Sequence, residues 1–344
     1  MRIAILAPPW FAVPPTGYGG IEWIVWLLGD GLTDRGHEVT LFASGDSRTK
    51  ATLASIFDEA PSELIGHSFP ELRHILSCYE RSADFDIVND HTGLLGAALG
   101  GLSQPPVVHT VHGPLDGEAG PLYEQIGRIA PGVGLISISL NQRRPEPDLN
   151  WVANIPNALD LEHYPCHPHR GAYLLYVGRM NHEKGAHRAV AIAMETGLPL
   201  KLAGKMRETK EREYFAEFVE PHLGNGIEYL GEVNHGTKVE LLQNARATLF
   251  PIEWEEPFGL VMIESMACGT PVIATRHGAV PEVIEEDGRG GIIVDDYRET
   301  AEALERADEI DPRECRRYVE ERFAPERMVA DYERAYGEAI AARG

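Results

Sequence analysis

Cysteine is scarce. Cys78, Cys166, Cys268 and Cys315 are the only four in 344 residues; they are widely spaced and form no C-x-x-C pair. That spread argues against a disulfide framework or a zinc site and leaves reduced, cytoplasmic thiols as the expectation. Long apolar runs are missing too. None approaches the roughly 20 residues a membrane helix needs, so stable membrane insertion is not expected. The N-terminal run Arg2-Ile3-Ala4-Ile5-Leu6-Ala7 reads as a strand rather than as the apolar region of a signal peptide. Positive charge is in short supply: 31 Lys and Arg against 53 Asp and Glu give a formal net charge of -22. Such a field repels phosphate-rich polymers and anionic bilayers, and no Lys/Arg run offsets it, so a nucleic-acid partner is not expected. Two motifs are absent as well. G-x-G-x-x-G does not follow the first strand-like run, which weakens a dehydrogenase reading. No D-x-D motif stands in a loop placed to hold a metal.

What is present suits a globular chain of two domains. Hydrophobic residues make up 43% and charged residues 24%. Short, continuously apolar β-type runs recur at Ile3–Ala7, Glu38–Ala43, Asp86–Asn89, Val107–Val111 and Gly134–Ile138. They recur again at Tyr173–Val177, Leu200–Ala203, Ile227–Leu230, Thr248–Pro251, Val272–Ala274 and Ile292–Val294. Runs of this kind fit strands buried on both faces of a parallel sheet. Helical spacing over Ile21–Leu32, Ala186–Met194, Thr237–Ala245 and Leu260–Ala267 lies between them, which predicts βαβ units in an α/β protein with two doubly wound, Rossmann-like domains. The Pro- and His-rich stretch Tyr164–Arg170 reads as the linker. The expected domains are therefore residues 1–165 and 166–324, with a cleft between them as the expected ligand site. A final helix over about 325–344 starts with Pro325 in its first turn.

Four stretches carry candidate chemistry. The first is Pro14-Pro15-Thr16-Gly17-Tyr18-Gly19-Gly20-Ile21-Glu22. Glycines between a strand and a helix let the backbone approach a ligand, although an ordinary Gly-rich turn reads the same way. In the second, Val107–Gly113, His112 closes a strand and is placed to donate to a substrate; a core histidine, or a metal ligand paired with His109, are the alternatives. His91 is a similar strand-end candidate. The third, Val177–Gly185, follows the first strand of the second half. There Arg179 and Lys184 stand as isolated cations suited to a diphosphate whose charge grows as it leaves, with a solvated loop as the alternative. The fourth, Glu255–Ala274, places Glu256 and Glu264 with seven residues between them. Glu256 is expected in the loop ahead of a helix and Glu264 about two turns inside it, where two ribose hydroxyls would partner its carboxylate. The N–H groups of Phe258, Gly259 and Leu260 open that helix. The alternative is a pair of surface glutamates.

Together these residues resemble the retaining glycosyltransferases of family 4, which have the GT-B fold. The likeness runs nearly end to end: Gly19-Gly20, His112, Gly178-Arg179 with Lys184-Gly185, and Glu256-x7-Glu264 followed by Ala267-Cys268-Gly269-Thr270-Pro271-Val272. Ile155-Pro156-Asn157-Ala158-Leu159-Asp160 is similar to the family's Pro-Asn-Gly-Val-Asp turn, with Ala158 in place of Gly, and Asn89 stands where many members carry His.

The resemblance implies transfer of a hexose from a nucleotide-sugar, a UDP-sugar by preference, to a carbohydrate, small-molecule or lipid acceptor, with no metal or other cofactor. Arg179 and Lys184 would bind the diphosphate with Gly178, and Glu264 the ribose. Glu256 and the backbone of Phe258, Gly259 and Leu260 would meet the donor sugar. His112 would lie near the reacting carbon, and Gly19 and Gly20 near diphosphate and acceptor. Trp10, Tyr18 and His91 are the acceptor-side candidates, and the final helix would return to the first domain. No carboxylate here forms the close pair of a retaining glycosidase, so front-face attack beside the departing diphosphate is the favoured route. A nucleotide-sugar epimerase and a non-catalytic nucleotide-sugar-binding protein share the same architecture. Sequence does not set the oligomeric state.

Overall fold

Continuously apolar runs become parallel strands, and the computed structural model, which describes residues 1–17, 19–286 and 288–343, shows how they are ordered. Two units part at Ala158/Leu159. In the first unit the chain runs through β1 (Arg2–Leu6), α1 (Gly20–Asp34), β2 (Glu38–Phe42), β3 (Thr52–Ala54), α2 (Ser68–Tyr79) and β4 (Ile87–Asp90). It continues through α3 (Leu94–Leu99), β5 (Val107–Thr110), α4 (Ala119–Ile129), β6 (Val133–Ser137) and β7 (Trp151–Asn154).

The second unit begins with β8 (Tyr173–Val177), α5 (Ala186–Thr196), β9 (Leu200–Ala203), α6 (Thr209–Phe218), β10 (Ile227–Tyr229) and α7 (His235–Gln243). It ends with β11 (Ala245–Phe250), α8 (Leu260–Ala267), β12 (Val272–Thr275), α9 (Val280–Val283), β13 (Gly291–Val294), α10 (Thr300–Ala307) and α11 (Pro312–Arg322). The last helix, α12 (Pro325–Arg343), belongs to the first unit. Residues 159–165, expected to close the first domain, pack with the second.

Among the described residues the first sheet has the order β3-β2-β1-β4-β5-β6-β7 and the second β10-β9-β8-β11-β12-β13. Every pairing is parallel. Counted from its own first strand, the second sheet winds 3-2-1-4-5-6, the order of doubly wound nucleotide-binding folds, and the first winds the same way with a seventh strand added at the edge. The winding direction reverses between β1 and β4 in one sheet and between β8 and β11 in the other. Ligands of such sheets gather at the carboxyl ends of the strands beside that reversal.

One face of the first sheet buries Ala4, Leu6, Val88 and Val107 against Ile75, Cys78 and Tyr79 of α2 and Tyr123 of α4. α12 packs on α1, where Gly31 leaves room that a Cβ would fill: it would come within 2.6 Å of Val329 Cγ2. Met328, Val329, Tyr332, Ala335 and Tyr336 form the buried stripe of α12, at helical spacing.

Strand and helix expectations on the buried elements match to within a few residues. The helix expected over Thr237–Ala245 lies two residues earlier, at His235–Gln243, and Ala245 opens β11, paired with Tyr173. β3 and β7 were not anticipated. Both are sheet edges of mixed polarity and partial exposure, so neither shows the buried apolar run by which the other strands are read.

Candidate functional site

In the second unit, β8 ends at Val177 and the chain enters Gly178-Arg179. Gly178 sits where the β8 and β9 ends crowd: a Cβ on its neighbour Gly204 would overlap the Gly178 carbonyl oxygen. Arg179 reaches α6. Its Nε donates to Glu211 Oε1 at 2.6 Å and its terminal NH2 group to Glu208 Oε1 at 2.8 Å. The carboxylate is placed by a capping box, in which Glu211 Oε2 accepts the amides of Arg207 (2.8 Å) and Glu208 (3.1 Å). Burial opposes ionisation of Glu211, but those amides and the guanidinium outweigh it and hold its carboxyl below the usual range. Lys205, at the end of β9, is half-buried beside Arg179 and Arg207, and desolvation first, then those cations, lower its pKa.

Lys184 is ion-paired with Glu256, and its Nζ lies 4.3 Å from the ring centroid of Trp254. Trp254 Nε1 donates to the same Glu256 oxygen, Oε2, at 3.1 Å. Gly185 follows at φ +79°, where a Cβ would overlap the Pro251 carbonyl oxygen at the end of β11. Glu256 lies in the loop ahead of α8, as expected. Its backbone is clasped by the next turn: Ala279 N donates to Glu256 O at 2.8 Å, and Gly278 (φ +56°) leaves no space there for a side chain.

Glu264 is the fifth residue of α8, just over one turn in rather than two. Tyr164 OH and Lys238 Nζ both donate to its Oε1, at 2.7 and 2.6 Å. Burial, and then the Glu264 carboxylate, push the Tyr164 hydroxyl well above its ordinary pKa, so Tyr164 stays a donor. Both of these hydrogen bonds fall on Oε1 of Glu264 rather than Oε2. Glu256 and Glu264 are each 8% exposed and each held by a lysine, which excludes a pair of solvated surface glutamates. Phe258 is buried edge-on to Phe323, and Gly259 (φ +85°) caps α8, so the amides of Phe258, Gly259 and Leu260 lie at its N-terminus.

Arg179 and Lys184 are therefore not isolated cations. Each is neutralised by carboxylates, because in so acidic a chain a cation at a strand end gathers counter-charges. Lys205, Lys238, Tyr164, Glu211 and Trp254 were missed by sequence reasoning. Trp254, two residues before Glu256, was the one with a visible signal. Tyr164 and Lys238 lie 100 and 26 residues from Glu264 and carried none.

In the first unit, Gly19 (φ +152°) caps α1, and Gly20 is the helix's first residue. A Cβ on Gly19 would come within 2.8 Å of Glu22 Oε2 and of Pro15 Cγ. Tyr18 lies outside the described residues. Trp10 is 9% exposed, and its carbonyl accepts from Ser62 Oγ at 2.6 Å.

His112 comes two residues after β5 and is half-buried. Its Nε2 lies 2.9 Å from Nδ1 of His91, which is wholly buried after β4. Desolvation, then the His109 ring, push the His112 pKa down to about 3. His109 is engaged elsewhere: Nδ1 meets Asp90 Oδ2 and Nε2 meets Tyr123 OH, both at 2.9 Å. Both of its nitrogens are taken, so it does not share a metal with His112. Asn89 is fully buried in β4, and both polar atoms of its side chain lack a hydrogen-bond partner among the described residues.

The strand ends flanking the reversal thus carry the Gly19 loop and His91 in one unit, with His112 after the adjoining strand β5, and Arg179, Lys184 and Glu256 in the other. Among the described residues no helix is long and apolar enough to cross a membrane.

Two family models match the chain: Glycosyltransferase Family 4 over residues 18–147 and Glycosyl transferases group 1 over residues 166–322. A glycogen synthase of Mycobacterium tuberculosis (strain ATCC 25618 / H37Rv) is 27% identical over 338 residues, covering 83% of this chain and 80% of the relative. A phosphatidyl-myo-inositol mannosyltransferase of Mycolicibacterium smegmatis is 26% identical over 340 residues, covering 88% and 84%. Among solved structures, AviGT4, a glycosyltransferase involved in avilamycin A biosynthesis, is similar with a TM-score of 0.73 at 25% identity, over 99% of this chain and 98% of that one. The chain belongs to the family-4-like glycosyltransferases and has their GT-B fold.

Proposed function

We propose that this enzyme is a retaining hexosyltransferase that moves a hexose from a UDP-sugar to a hydroxyl of a carbohydrate, small-molecule or lipid acceptor, without a metal, in the cytoplasm. The observation that carries the reading is the pair of nearly buried carboxylates on either side of the α8 N-terminus, Glu256 on Lys184 and Glu264 on Lys238. Unpaired, such carboxylates would be costly; held by lysines beside a helix terminus, they are poised for an anionic ligand rich in hydroxyls. An arriving diphosphate competes with Glu256 for Lys184 and with Glu208 and Glu211 for Arg179, while the Phe258, Gly259 and Leu260 amides face the anion. Glu256, relieved of its lysine, accepts hydroxyls of the donor sugar, and Glu264 accepts a ribose hydroxyl through Oε2.

The lysine, the arginine and the helix terminus stabilise charge on the leaving diphosphate, whose oxygen takes the acceptor proton in a front-face attack. His112, Gly19 and Gly20 serve the sugar and diphosphate, and Tyr18 and Trp10 the acceptor side; His91, wholly buried against His112, reaches the site only through that ring. The relatives named for glycogen synthesis and mannosyl transfer support a hexose. UDP is favoured as the common donor base of the family that the motifs resemble. The free thiols support a reducing compartment.

Thermal unfolding with UDP-, GDP- and ADP-sugars tests the donor. A sugar nucleotide at 100 times its Kd stabilises the folded enzyme by about 2.7 kcal/mol, and the UDP-sugar is expected to raise the Tm most. No rise with any of the three would overturn the donor assignment. Lys184→Ala is expected to slow donor hydrolysis by about 100-fold or more while disturbing folding far less; near-normal turnover refutes its role. The anomeric configuration of the product, read by proton NMR, tests retention.

A further inference from the structure

His91 and His112 face each other through one nitrogen apiece, 2.9 Å apart, with their rings stacked at a centroid distance of 5.2 Å. The second nitrogen of His91, Nε2, is buried and has no hydrogen-bond partner among the described residues. These two facts locate the protons. One of the facing nitrogens carries the shared hydrogen. Were it His112 Nε2, a neutral His91 would carry its own proton on Nε2, as a buried N–H with nothing to accept it. When His91 donates through Nδ1 instead, its orphaned nitrogen is only a bare lone pair, and unsatisfied acceptors are tolerated better than unsatisfied N–H groups. His74 shows the same economy where no choice exists. Its Nε2 faces the Ala7 carbonyl oxygen at 3.0 Å and must carry the proton, and its Nδ1 is the buried orphan.

Both rings of the facing pair are neutral. Desolvation, with neighbouring imidazoles adding to it, pushes the pKa of His91 well below its usual value and that of His112 to about 3.

We propose that His91 is a positioning residue that locks His112 in its Nδ1–H tautomer, so that His112 meets substrate as a hydrogen-bond donor and never as a proton acceptor. This rests on the reading of His112 as a contact of the donor sugar. With Nε2 committed to His91, Nδ1 is the nitrogen that remains for a sugar oxygen. A neutral donor there orients the sugar but takes no proton from the acceptor, which leaves that proton to the departing diphosphate.

The test is a long-range proton–nitrogen correlation spectrum of the full chain with 15N-labelled histidine, without ligand, near pH 7.5, with His112 assigned by the signals lost in His112→Asn. The expected pattern has Nδ1 of His112 protonated and Nε2 bare. A proton on Nε2 of His112 overturns the proposal. In His91→Phe, which keeps a flat ring but no donor, His112 is expected to revert to the Nε2–H form usual for a free imidazole. An unchanged tautomer there would show that His91 does not set it. The KM for UDP-sugar hydrolysis should rise about three- to tenfold in His91→Phe, the range of one neutral hydrogen bond, with kcat changing less. His91→Gln, whose amide can donate, is expected to restore both tautomer and KM. A tautomer that switches while KM stays constant would support the lock and refute the contact between His112 and the sugar.

Discussion

Tyr332 and Tyr336 lie one turn apart on α12, both wholly buried, yet their hydroxyls differ in fate. Tyr332 OH pairs with Thr110 Oγ1 at 3.1 Å, whereas Tyr336 OH is buried without a partner among the described residues. An unpaired buried hydroxyl forfeits its hydration for nothing, so Tyr336→Phe is expected to stabilise the protein by about 1 kcal/mol. Tyr332→Phe, which strands Thr110, should destabilise it by a similar amount. Chemical denaturation of the two variants checks the pair, and a destabilised Tyr336→Phe would contradict the assignment. At the same scale, the identities of the site residues were legible in the sequence while their partners were not. Lys184, Glu256 and Glu264 sit in recognisable local patterns. Their partners lie far along the chain, 72 residues away for Lys184 and Glu256, and no local pattern encodes a contact at that distance.

Helices and strands here are positioned by their ends. α5 begins at Gly185 in the left-handed conformation, pressed against the Pro251 carbonyl, and Arg188 Nη1 donates to that same oxygen at 2.9 Å. The contact ties the start of α5 to the end of β11, and so ties Lys184 to the loop that carries Trp254 and Glu256. Gly185→Ala combines left-handed strain with a backbone clash. It is expected to cost about 2–3 kcal/mol and to raise the KM for the donor, because the lysine moves with the helix start. A Tm within a degree of wild type would disprove the constraint. Central strands and long helices were legible because burial on both faces or along one stripe leaves a periodic record. The edge strands β3 and β7 and the charged helix α6 leave a weaker one. α6 matters nonetheless, because its capping box delivers Glu211 to Arg179.

Across the whole molecule, burial lowers the pKa of five histidines among the described residues, His235 less than the other four. His74 and His187 are pushed down to about 4, His112 to about 3, and His91 well below its usual value, desolvation being the leading cause in each. A lowered folded pKa means that the unfolded chain binds more protons between about pH 4 and the unperturbed value of about 6.5. The stability these groups confer is complete above that window and is lost as pH falls through it. Each group contributes a slope of about 1.4 kcal/mol per pH unit. Unfolding free energy should therefore decline steeply below pH 6.5, and His74→Gln should flatten the decline by about one group's share. A slope unchanged in that variant would show that His74 is already protonated in the fold. His91 and His112 stay neutral throughout this window.

Apolar runs, helical spacing and glycines at strand ends are local properties, and they suffice to read off the two parallel-sheet units, the α12 helix, and which loops carry Arg179, Lys184, Glu256 and His112. Tertiary structure alone decided that the cations are already paired, that Lys238 and Tyr164 occupy one oxygen of Glu264, and that His91 rather than His109 meets His112. The physical reason is range. Backbone conformation and burial follow from neighbours a few residues away, whereas the charge state, tautomer and free valence of a buried polar group depend on whatever the fold brings within about 3 Å of it.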